Sequence, residues 1–229
     1  MGDRRDEGPE GSAVYLEILR RLQQGEISAD DRLVDTAIAA EQGVSRMPVR
    51  EALLRLVHEG YLVGSTRGFV LPHFSDQDVA DIFELRSLLE PRAAASAAYH
   101  LTMTDIADLE AGYRLTCEAV ESGSGRELMR ANSDFRKVWL RAVPNRKMAT
   151  TITRFADHVQ IVRRTTLHDT STQQVVLKLL GEQLDAFRRR DSLAVFDTMG
   201  RFLDTARLRY FAVLETARLP QGADLSLRS

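Results

Sequence analysis

The chain has 229 residues, of which 44% are hydrophobic and 28% charged, enough for one large or two small domains with an ordinary core. No apolar run approaches the roughly 20 residues of a membrane-spanning helix, so we expect no membrane partner. The single cysteine, Cys117, excludes a disulfide within the chain and is expected to be a buried small hydrophobe in a cytoplasmic protein. Because the formal net charge is −2, any basic binding surface must be produced by folding.

The N-terminal part of the chain is predicted to consist of a disordered tail followed by two helices. Residues 1–11 are polar and rich in glycine, so we expect a disordered tail and not a signal peptide. Apolar residues at helical spacing then predict a first helix over 13–23, which Gly25 ends. A second helix is predicted over 35–42.

The stretch from Gln42 to Leu56 carries the most informative pattern. Gly43 permits the left-handed backbone of a tight turn, Ser45 is a good N-cap, and Pro48 fits the first turn of a helix predicted over 45–59. Apolar residues recur along one side of this helix, and arginines remain on the other side of its N-terminal half. A short helix, a glycine turn and a second helix with exposed arginines is the plan of a DNA-reading helix-turn-helix.

Two short β-favouring runs follow, at residues 61–63 and 69–71. The polar, glycine-containing turn between them predicts a hairpin, which would make the helix-turn-helix a winged domain. At its tip Arg67 could enter a narrow minor groove, and Gly68 would allow close backbone approach. The alternative is an ordinary solvated turn.

The rest of the chain is predicted to be almost entirely helical. Ser75 and Asp78 resemble a capping box at the start of this region. Helices are predicted over 76–99, 104–121, 125–142, 145–166, 172–190 and 192–217. The predicted organisation is a tail (1–11), a winged domain (12–71), a linker (72–76), a helical domain (77–218) and a second tail (219–229).

Two parts of the chain resemble a known family. The string Val44-Ser45-Arg46-Met47-Pro48-Val49-Arg50-Glu51-Ala52-Leu53, with Gly60 and Arg67-Gly68, resembles the DNA-binding domain of GntR-family bacterial transcription regulators. The second half resembles the FCD domain of the FadR-type subgroup through Glu84-Leu85-Arg86-Ser87-Leu88-Leu89-Glu90, Asn132-x-x-Phe135, Asn145 and Asp191. The resemblance covers about residues 13–217. It implies a mainly α fold, with an N-terminal winged helix-turn-helix domain followed by an all-helical, six- to seven-helix FCD-type bundle.

The resemblance also implies which residues touch DNA. Carried over by position, these are Thr36, Ser45, Arg46, Pro48, Arg50, Arg67 and Gly68. Arg50 is our choice for a base contact, because the arginine fork on guanine is the commonest specific contact, worth ~1–3 kcal/mol. Ser45 and Thr36 suit phosphates. The alternative for Arg50 is a surface ion pair with Glu51 or its neighbours.

The chain departs from the family at the metal site of the helical domain. Many FCD domains hold a divalent metal through an Asp or Asn and three histidines, and the metal then holds a carboxylate effector. Asn132 stands at the first ligand position, but Arg136, Leu180 and Phe202 stand at the three histidine positions. Leucine and phenylalanine cannot ligate a metal. We therefore expect neither a metal nor another cofactor.

Arg136 offers a different way to bind an anion. It lies one helical turn from Asn132, and an inward arginine on an apolar wall needs an anion to offset its burial. We hypothesise that it binds an effector carboxylate or phosphate directly. The candidate effector residues are Arg86, Asn132, Arg136, Arg163, Leu180 and Phe202. The alternative is that Arg136 pairs with Glu90 or Asp134 in a plugged pocket.

These observations predict a DNA-binding transcription regulator, not an enzyme. A homodimer would bind a double-stranded operator. The family resemblance implies a repressor, here controlled by a small anionic, partly apolar metabolite. In one alternative the helical domain only dimerises. In another the helical bundle is an enzyme, but the sequence contains no Glu-x-x-His pair, phosphate loop or nucleophile motif.

Overall fold

The computed structural model describes residues 9–24, 26–28, 30–158 and 169–218. Within these ranges the chain forms nine helices and one hairpin, which confirms the predicted mainly α fold. The chain divides into two compact units, Met1–Asp78 and Val79–Ser229. None of the helices in the described ranges combines the length and the apolar character needed to cross a membrane.

The first unit contains three helices and the hairpin. Its elements are α1 (Pro9–Gln23), α2 (Asp35–Gln42), α3 (Arg46–His58), β1 (Val63–Ser65) and β2 (Gly68–Val70). Helix α1 begins four residues before the predicted residue 13 and so includes residues assigned to the N-terminal tail; proline is well tolerated in a first helical turn. Gly25, predicted to end this helix, lies outside the described residues.

Helix α3 is held in place by its apolar side. Val49, Leu53 and Leu56 are fully buried against a core that includes Ile18 of α1. A polar contact strengthens the packing of α1 on α3: the Tyr15 hydroxyl donates to Glu59, and the Arg55 guanidinium lies 3.9 Å from the centre of the Tyr15 ring. The orientation of α3 is therefore fixed by contacts along its length.

The turn between α2 and α3 follows the predicted pattern. Gly43 has a φ of +67° and its N–H donates to the Ala39 carbonyl, as a left-handed helix end requires. Ser45 occupies the N-cap of α3 with an extended backbone, but its side chain makes no capping hydrogen bond. The predicted cap position is therefore correct, but the Ser45 hydroxyl does not bond the N-terminal amides of α3.

The two strands of the hairpin lie closer to the turn in the sequence than predicted. Strands β1 and β2 pair antiparallel around a turn at residues 66–67, with Val63 opposite Val70 and Ser65 opposite Gly68. Residues 61–62 are not part of β1 because they close α3: the Tyr61 N–H donates to the Leu56 carbonyl at 2.8 Å, and Leu62 is buried in the core.

Gly68 is required by a contact inside the first unit. Its φ is +130°, and an added Cβ would lie 2.5 Å from the Leu33 carbonyl oxygen. Beside it, Leu33 and Phe69 exchange two backbone hydrogen bonds of 2.8 Å. Gly68 thus approaches the Leu33 backbone closely, which anchors the hairpin to the segment before α2.

The second unit is a helical bundle. Its helices are α4 (Asp76–Ala97), α5 (Met103–Glu121), α6 (Gly125–Arg141), α7 (Arg146–His158), α8 (Thr170–Arg188) and α9 (Ser192–Arg218). These match the predicted helices to within two residues at their described ends, and residues 159–168 lie outside the description. The predicted capping box is present, because the Ser75 N–H donates to Asp78 at 2.8 Å and the Asp78 N–H donates to the Ser75 hydroxyl at 3.2 Å.

The core of this unit is assembled by the packing of neighbouring helices. Helix α5 packs against α6 and α8, and α8 also packs against α9. The largest buried side chains there include Phe135, Trp139, Leu180 and Phe187. Cys117 is only partly buried, which corrects the expectation that it is a buried core residue.

Replacing Gly68 with alanine is expected to destabilise the first unit by about 1–3 kcal/mol, because the backbone is strained for an L-residue and the methyl group would meet the Leu33 carbonyl. Hydrogen exchange of the α3 amides measures this loss. Gly64→Ala is the control, since an added Cβ at Gly64 has nothing within 4 Å. Equal protection in the two variants would contradict the prediction.

Candidate functional site

The N-terminal half of α3 projects long side chains away from the core. The Arg46 and Arg50 side chains are 64% and 57% exposed, whereas Val49 between them is fully buried. This division follows from the helical repeat, since residues i and i+4 share a face. The core contacts of α3 therefore place two guanidinium groups side by side on the outer surface of the unit.

Both arginines contact one carboxylate on the preceding helix. Asp35 Oδ2 lies 3.2 Å from Arg46 Nη2 and 3.7 Å from Arg50 Nη1, and the Asp35 side chain is only 12% exposed. Asp35 Oδ1 accepts the Thr36 N–H at 2.8 Å. The hydrogen bond from Arg46 is the main cause that holds the pKa of Asp35 below its usual value, so this carboxyl is ionised at neutral pH. The partner of Arg50 is therefore Asp35, not the adjacent Glu51 considered from the sequence.

The other residues of the predicted DNA-contact set occupy different environments. Thr36 is exposed next to Asp35 in the sequence, Ser45 is exposed next to Arg46, and Arg67 is exposed at the hairpin turn. Pro48 is half-buried, and a Cβ added at Gly11 of α1 would lie 3.8 Å from its Cβ. Pro48 thus faces the packing between α1 and α3.

Two residues near this surface were not predicted from the sequence. Met47 is 62% exposed in the first turn of α3. It stands three residues before Arg50, and this spacing could have indicated that the two side chains share one side of the helix. Asp35 stands 11 residues before Arg46 in the sequence, so no helical periodicity links the two. Only the folded turn between α2 and α3 brings this carboxylate to the arginines.

The second unit contains a cluster of buried polar residues on α4 and α6. Arg86, Glu90, Asn132 and Arg136 are all more than nine-tenths buried. On α4, Arg86 Nε donates to Glu90 Oε1, one helical turn away. This ion pair satisfies a carboxylate that would otherwise be strongly disfavoured in the interior.

Arg136 is buried like Arg86, with 7% of it exposed, but its polar contacts differ. Within the described ranges, no hydrogen bond or ion pair reaches its guanidinium group. Burial lowers the pKa of Arg136, and the Glu90 carboxylate opposes that effect. Asp134, the other carboxylate considered as its partner, pairs with Lys137 at 2.9 Å on the surface. Arg136 is thus a buried cation whose donors are not used by the described part of the chain.

The C-terminal end of α7 carries two titratable groups, and one of them acts on Arg136. The charge of Asp157 raises the pKa of Arg136, as that of Glu90 does. Burial, followed by the charge of Arg154, lowers the pKa of His158 to about 4, so its imidazole is neutral at physiological pH.

The residues at the family's metal-ligand positions do not fit a divalent metal. Asn132 is buried next to Arg136, Leu180 is buried in the core, and Phe202 is partly buried against it. Only Asn132 supplies an oxygen donor, and a guanidinium cation repels a metal ion. The described residues contain no group of three or more His, Cys, Asp or Glu side chains placed to hold a metal. Arg163, a further predicted effector residue, lies outside the description.

A cleft of about 680 Å³ lies elsewhere, on the surface between α5 and α8. Its lining has charges of both signs and includes none of the predicted effector residues; it comprises Glu110, Tyr113, Arg114, Lys178, Gly181, Glu182, Leu184, Asp185 and Arg188. The Tyr113 ring covers Gly181, where an added Cβ would lie 2.8 Å from the Tyr113 hydroxyl. Burial raises the pKa of Tyr113. This mixed surface does not select for an anion.

A winged helix-turn-helix unit joined to a helical bundle defines a class of DNA-binding transcription regulators. Residues 11–68 match the family model of bacterial regulatory proteins of the gntR family, and residues 81–205 match that of the FCD domain. The chain therefore belongs to the GntR family and carries an FCD domain, which confirms the resemblance found in the sequence.

Several relatives are similar over part of the chain. The HTH-type transcriptional regulator McbR of Escherichia coli K12 is 32% identical over 124 residues, which are 54% of this chain and 56% of McbR. The gluconate operon transcriptional repressor of Bacillus subtilis is 38% identical over 80 residues, which are 35% of this chain and 33% of the repressor. The chain thus matches between a third and just over half the length of these two relatives.

Solved structures support the fold over a longer range. The structure of E. coli McbR/YncC has a TM-score of 0.78, with 21% identity over 91% of this chain and 98% of that one. A GntR regulator from Rhodococcus sp. RHA1 has a TM-score of 0.72, with 15% identity over 88% and 97% of the two chains. At these identities the likeness shows the architecture alone.

Replacing each buried arginine by methionine is expected to have different effects on the stability of the second unit. Arg86→Met leaves the Glu90 carboxylate buried without its ion-pair partner, which should cost roughly 3–5 kcal/mol. Arg136→Met removes a buried charge that no residue of the described ranges pairs with, so stability should stay constant or rise. Urea unfolding followed through Trp139, the only tryptophan, measures both. A large destabilisation by Arg136→Met would contradict this account of Arg136.

Proposed function

We propose that this GntR-family regulator is a homodimeric repressor whose operator affinity is changed by a small anionic, partly apolar metabolite. Residues 12–71 bind DNA, residues 72–76 link the domains, and residues 77–218 bind the effector and dimerise. The observation that carries the effector part of the proposal is Arg136, a buried cation without a partner in the described ranges.

The DNA contacts are assigned to the outer surface of α3 and its surroundings. The N-terminal half of α3 enters the major groove, where the exposed Arg46 and Arg50 reach base edges or phosphates. Ser45 and Thr36 contact phosphates, and the Ser45 hydroxyl is suited to this because it makes no capping bond. Arg67 at the exposed hairpin turn enters the adjacent minor groove.

Pro48 and Gly68 act by holding the DNA-contacting elements in place. Pro48 is half-buried at the packing of α3 on α1, and Gly68 permits the hairpin to approach Leu33. Both residues lie close in sequence to arginines that are assigned to DNA. Their contribution is therefore to the orientation of the recognition helix and of the wing.

The proposals of a dimer and of repression rest on two further arguments. Two copies of a recognition helix can occupy successive major grooves of a pseudo-palindromic operator, which multiplies specificity without additional contacts in either copy. The gluconate operon repressor of B. subtilis, similar over 80 residues, is named as a repressor. Repression is therefore the simpler assignment for this chain.

The effector is assigned to the buried polar cluster of the second unit. A carboxylate or phosphate on Arg136 would offset the desolvation of its guanidinium group, with Asn132 one turn away as a further hydrogen-bonding group. Arg86 already holds Glu90 and adds positive potential to the site. Leu180 and Phe202 supply apolar surface in the same unit, which favours a ligand with a hydrocarbon or aromatic part.

Alanine at Arg46 or Arg50 is expected to weaken operator binding by ~1–3 kcal/mol where the arginine reads a base, and to reduce the salt dependence of binding where it meets a phosphate. Fluorescence anisotropy over a range of KCl concentrations measures both effects, on an operator selected by the wild-type protein from random DNA. Arg20→Ala is the control, because Arg20 is an exposed arginine of α1 that pairs with Glu17 and Glu26. An equally large effect in the control would reject the assigned surface.

A carboxylate or phosphate metabolite that binds at Arg136 is expected to raise the midpoint of thermal unfolding in a saturable manner, and this shift should disappear in Arg136→Met. The same ligand should change operator affinity in the wild type but not in Arg136→Met. Arg114→Met in the α5–α8 cleft is the control. A shift that is absent in Arg114→Met and retained in Arg136→Met would move the effector site to that cleft.

A further inference from the structure

The two exposed arginines of α3 share one anchor that belongs to another helix. Arg46 and Arg50 are one turn apart on α3, and both guanidinium groups contact Oδ2 of Asp35 at the start of α2. Asp35 is mostly covered, whereas both arginines are more than half exposed. The carboxylate therefore contacts one terminal nitrogen of each guanidinium group and leaves the other donors of both groups unengaged by it.

The anchor itself is held by its surroundings. Asp35 is the first residue of α2, and its Oδ1 accepts the Thr36 N–H at 2.8 Å. Ile38 and Ala39 on the same helix are buried in the core of the first unit, and α2 packs against α3. The Asp35 carboxylate is thus fixed relative to α3 by the same core that fixes the recognition helix.

Ion pairs with exposed arginines add little to folding stability, because solvent screens them and both side chains lose rotamer freedom. Such ion pairs affect DNA binding more than folding stability, since an arginine that is already oriented loses less conformational freedom when it meets a base. A carboxylate near the DNA surface also repels phosphates. Asp35 is consequently placed to act on DNA binding in two ways.

We propose that Asp35 is a positioning residue that increases discrimination between the operator and other DNA. The proposal rests on the assignment of Arg46 and Arg50 as DNA contacts. An arginine has five N–H donors, so each can stay in contact with Asp35, Arg46 through a hydrogen bond and Arg50 through an ion pair, while other donors reach a base edge. On DNA without the matching bases, the arginines must turn toward phosphates and leave Asp35 unpaired beside a polyanion. Asp35 therefore weakens non-operator binding more than operator binding.

The test is Asp35→Asn, which removes the charge and retains an oxygen that can accept the Thr36 N–H. Affinities for the selected operator and for an unrelated duplex of equal length are measured over a range of KCl concentrations. We expect tighter binding to the unrelated duplex and a specificity ratio that falls by about tenfold or more, within the range that a bidentate base contact supplies. Asp35→Glu should recover part of the ratio.

Glu41→Gln is the matched control for charge alone. Glu41 lies on the same helix, is exposed and pairs with Arg21 at 3.5 Å, so its replacement changes net charge equally without touching the arginines of α3. This variant should change both affinities by the same small factor. If Asp35→Asn also changes both affinities by one common factor, the carboxylate merely competes with DNA and the positioning role is wrong.

Combining the variants separates the failure of this inference from the failure of the assigned DNA contacts. In an Arg46→Ala/Arg50→Ala background, Asp35→Asn should leave the specificity ratio unchanged, because the side chains it positions are absent. If the double alanine variant binds the operator as the wild type does, the assigned contacts are wrong. If it loses operator binding while Asp35→Asn alone keeps the wild-type ratio, only the role of Asp35 is overturned.

Discussion

The packing of α1 on the apolar side of α3 is the constraint on which the DNA-binding surface depends. Val49, Leu53 and Leu56 are fully buried, so α3 cannot rotate about its axis without exposing them. The helical repeat fixes which residues lie opposite the buried ones. Burial of the apolar side therefore determines the direction in which Arg46 and Arg50 project. The two arginines proposed to contact DNA thus derive their orientation from residues buried in the core.

Arginine and carboxylate groups meet in both units, with different physical consequences. Around Asp35 the arginines are exposed, so water screens their charges and their donors remain able to exchange partners. Around Glu90 the arginines are buried, so each charge depends on the few groups near it. The exposed arginines around Asp35 are therefore suited to a large polyanion that binds and dissociates. The buried Arg136 is suited to a small anion that enters the interior and loses its hydration shell.

How much of the structure could be predicted from the sequence depends on the range of the contacts involved. The left-handed backbone of Gly43 and the N-cap position of Ser45 depend on near neighbours, so local patterns predicted them. Asp35 meets Arg46 only after the α2–α3 turn has formed, so the carboxylate that holds the predicted DNA-contact arginines was not predictable. The inward orientation of Arg136 was predicted, but its lack of a partner in the described ranges depends on packing between helices.

The replacement of family metal ligands by Arg136, Leu180 and Phe202 changes how an anion could be held in the second unit. A metal centre supplies several coordination positions, whereas a guanidinium group supplies directional hydrogen bonds from a fixed side chain. The apolar residues at the other two positions then favour shape and hydrocarbon contact over further charge. Such a ligand could control DNA binding only if it bound the DNA-competent and DNA-incompetent states unequally, whatever its total affinity. A buried Arg136 that has no partner among the described residues meets the chemical requirement for binding an anion, and regulation additionally requires that its environment differ between those two states.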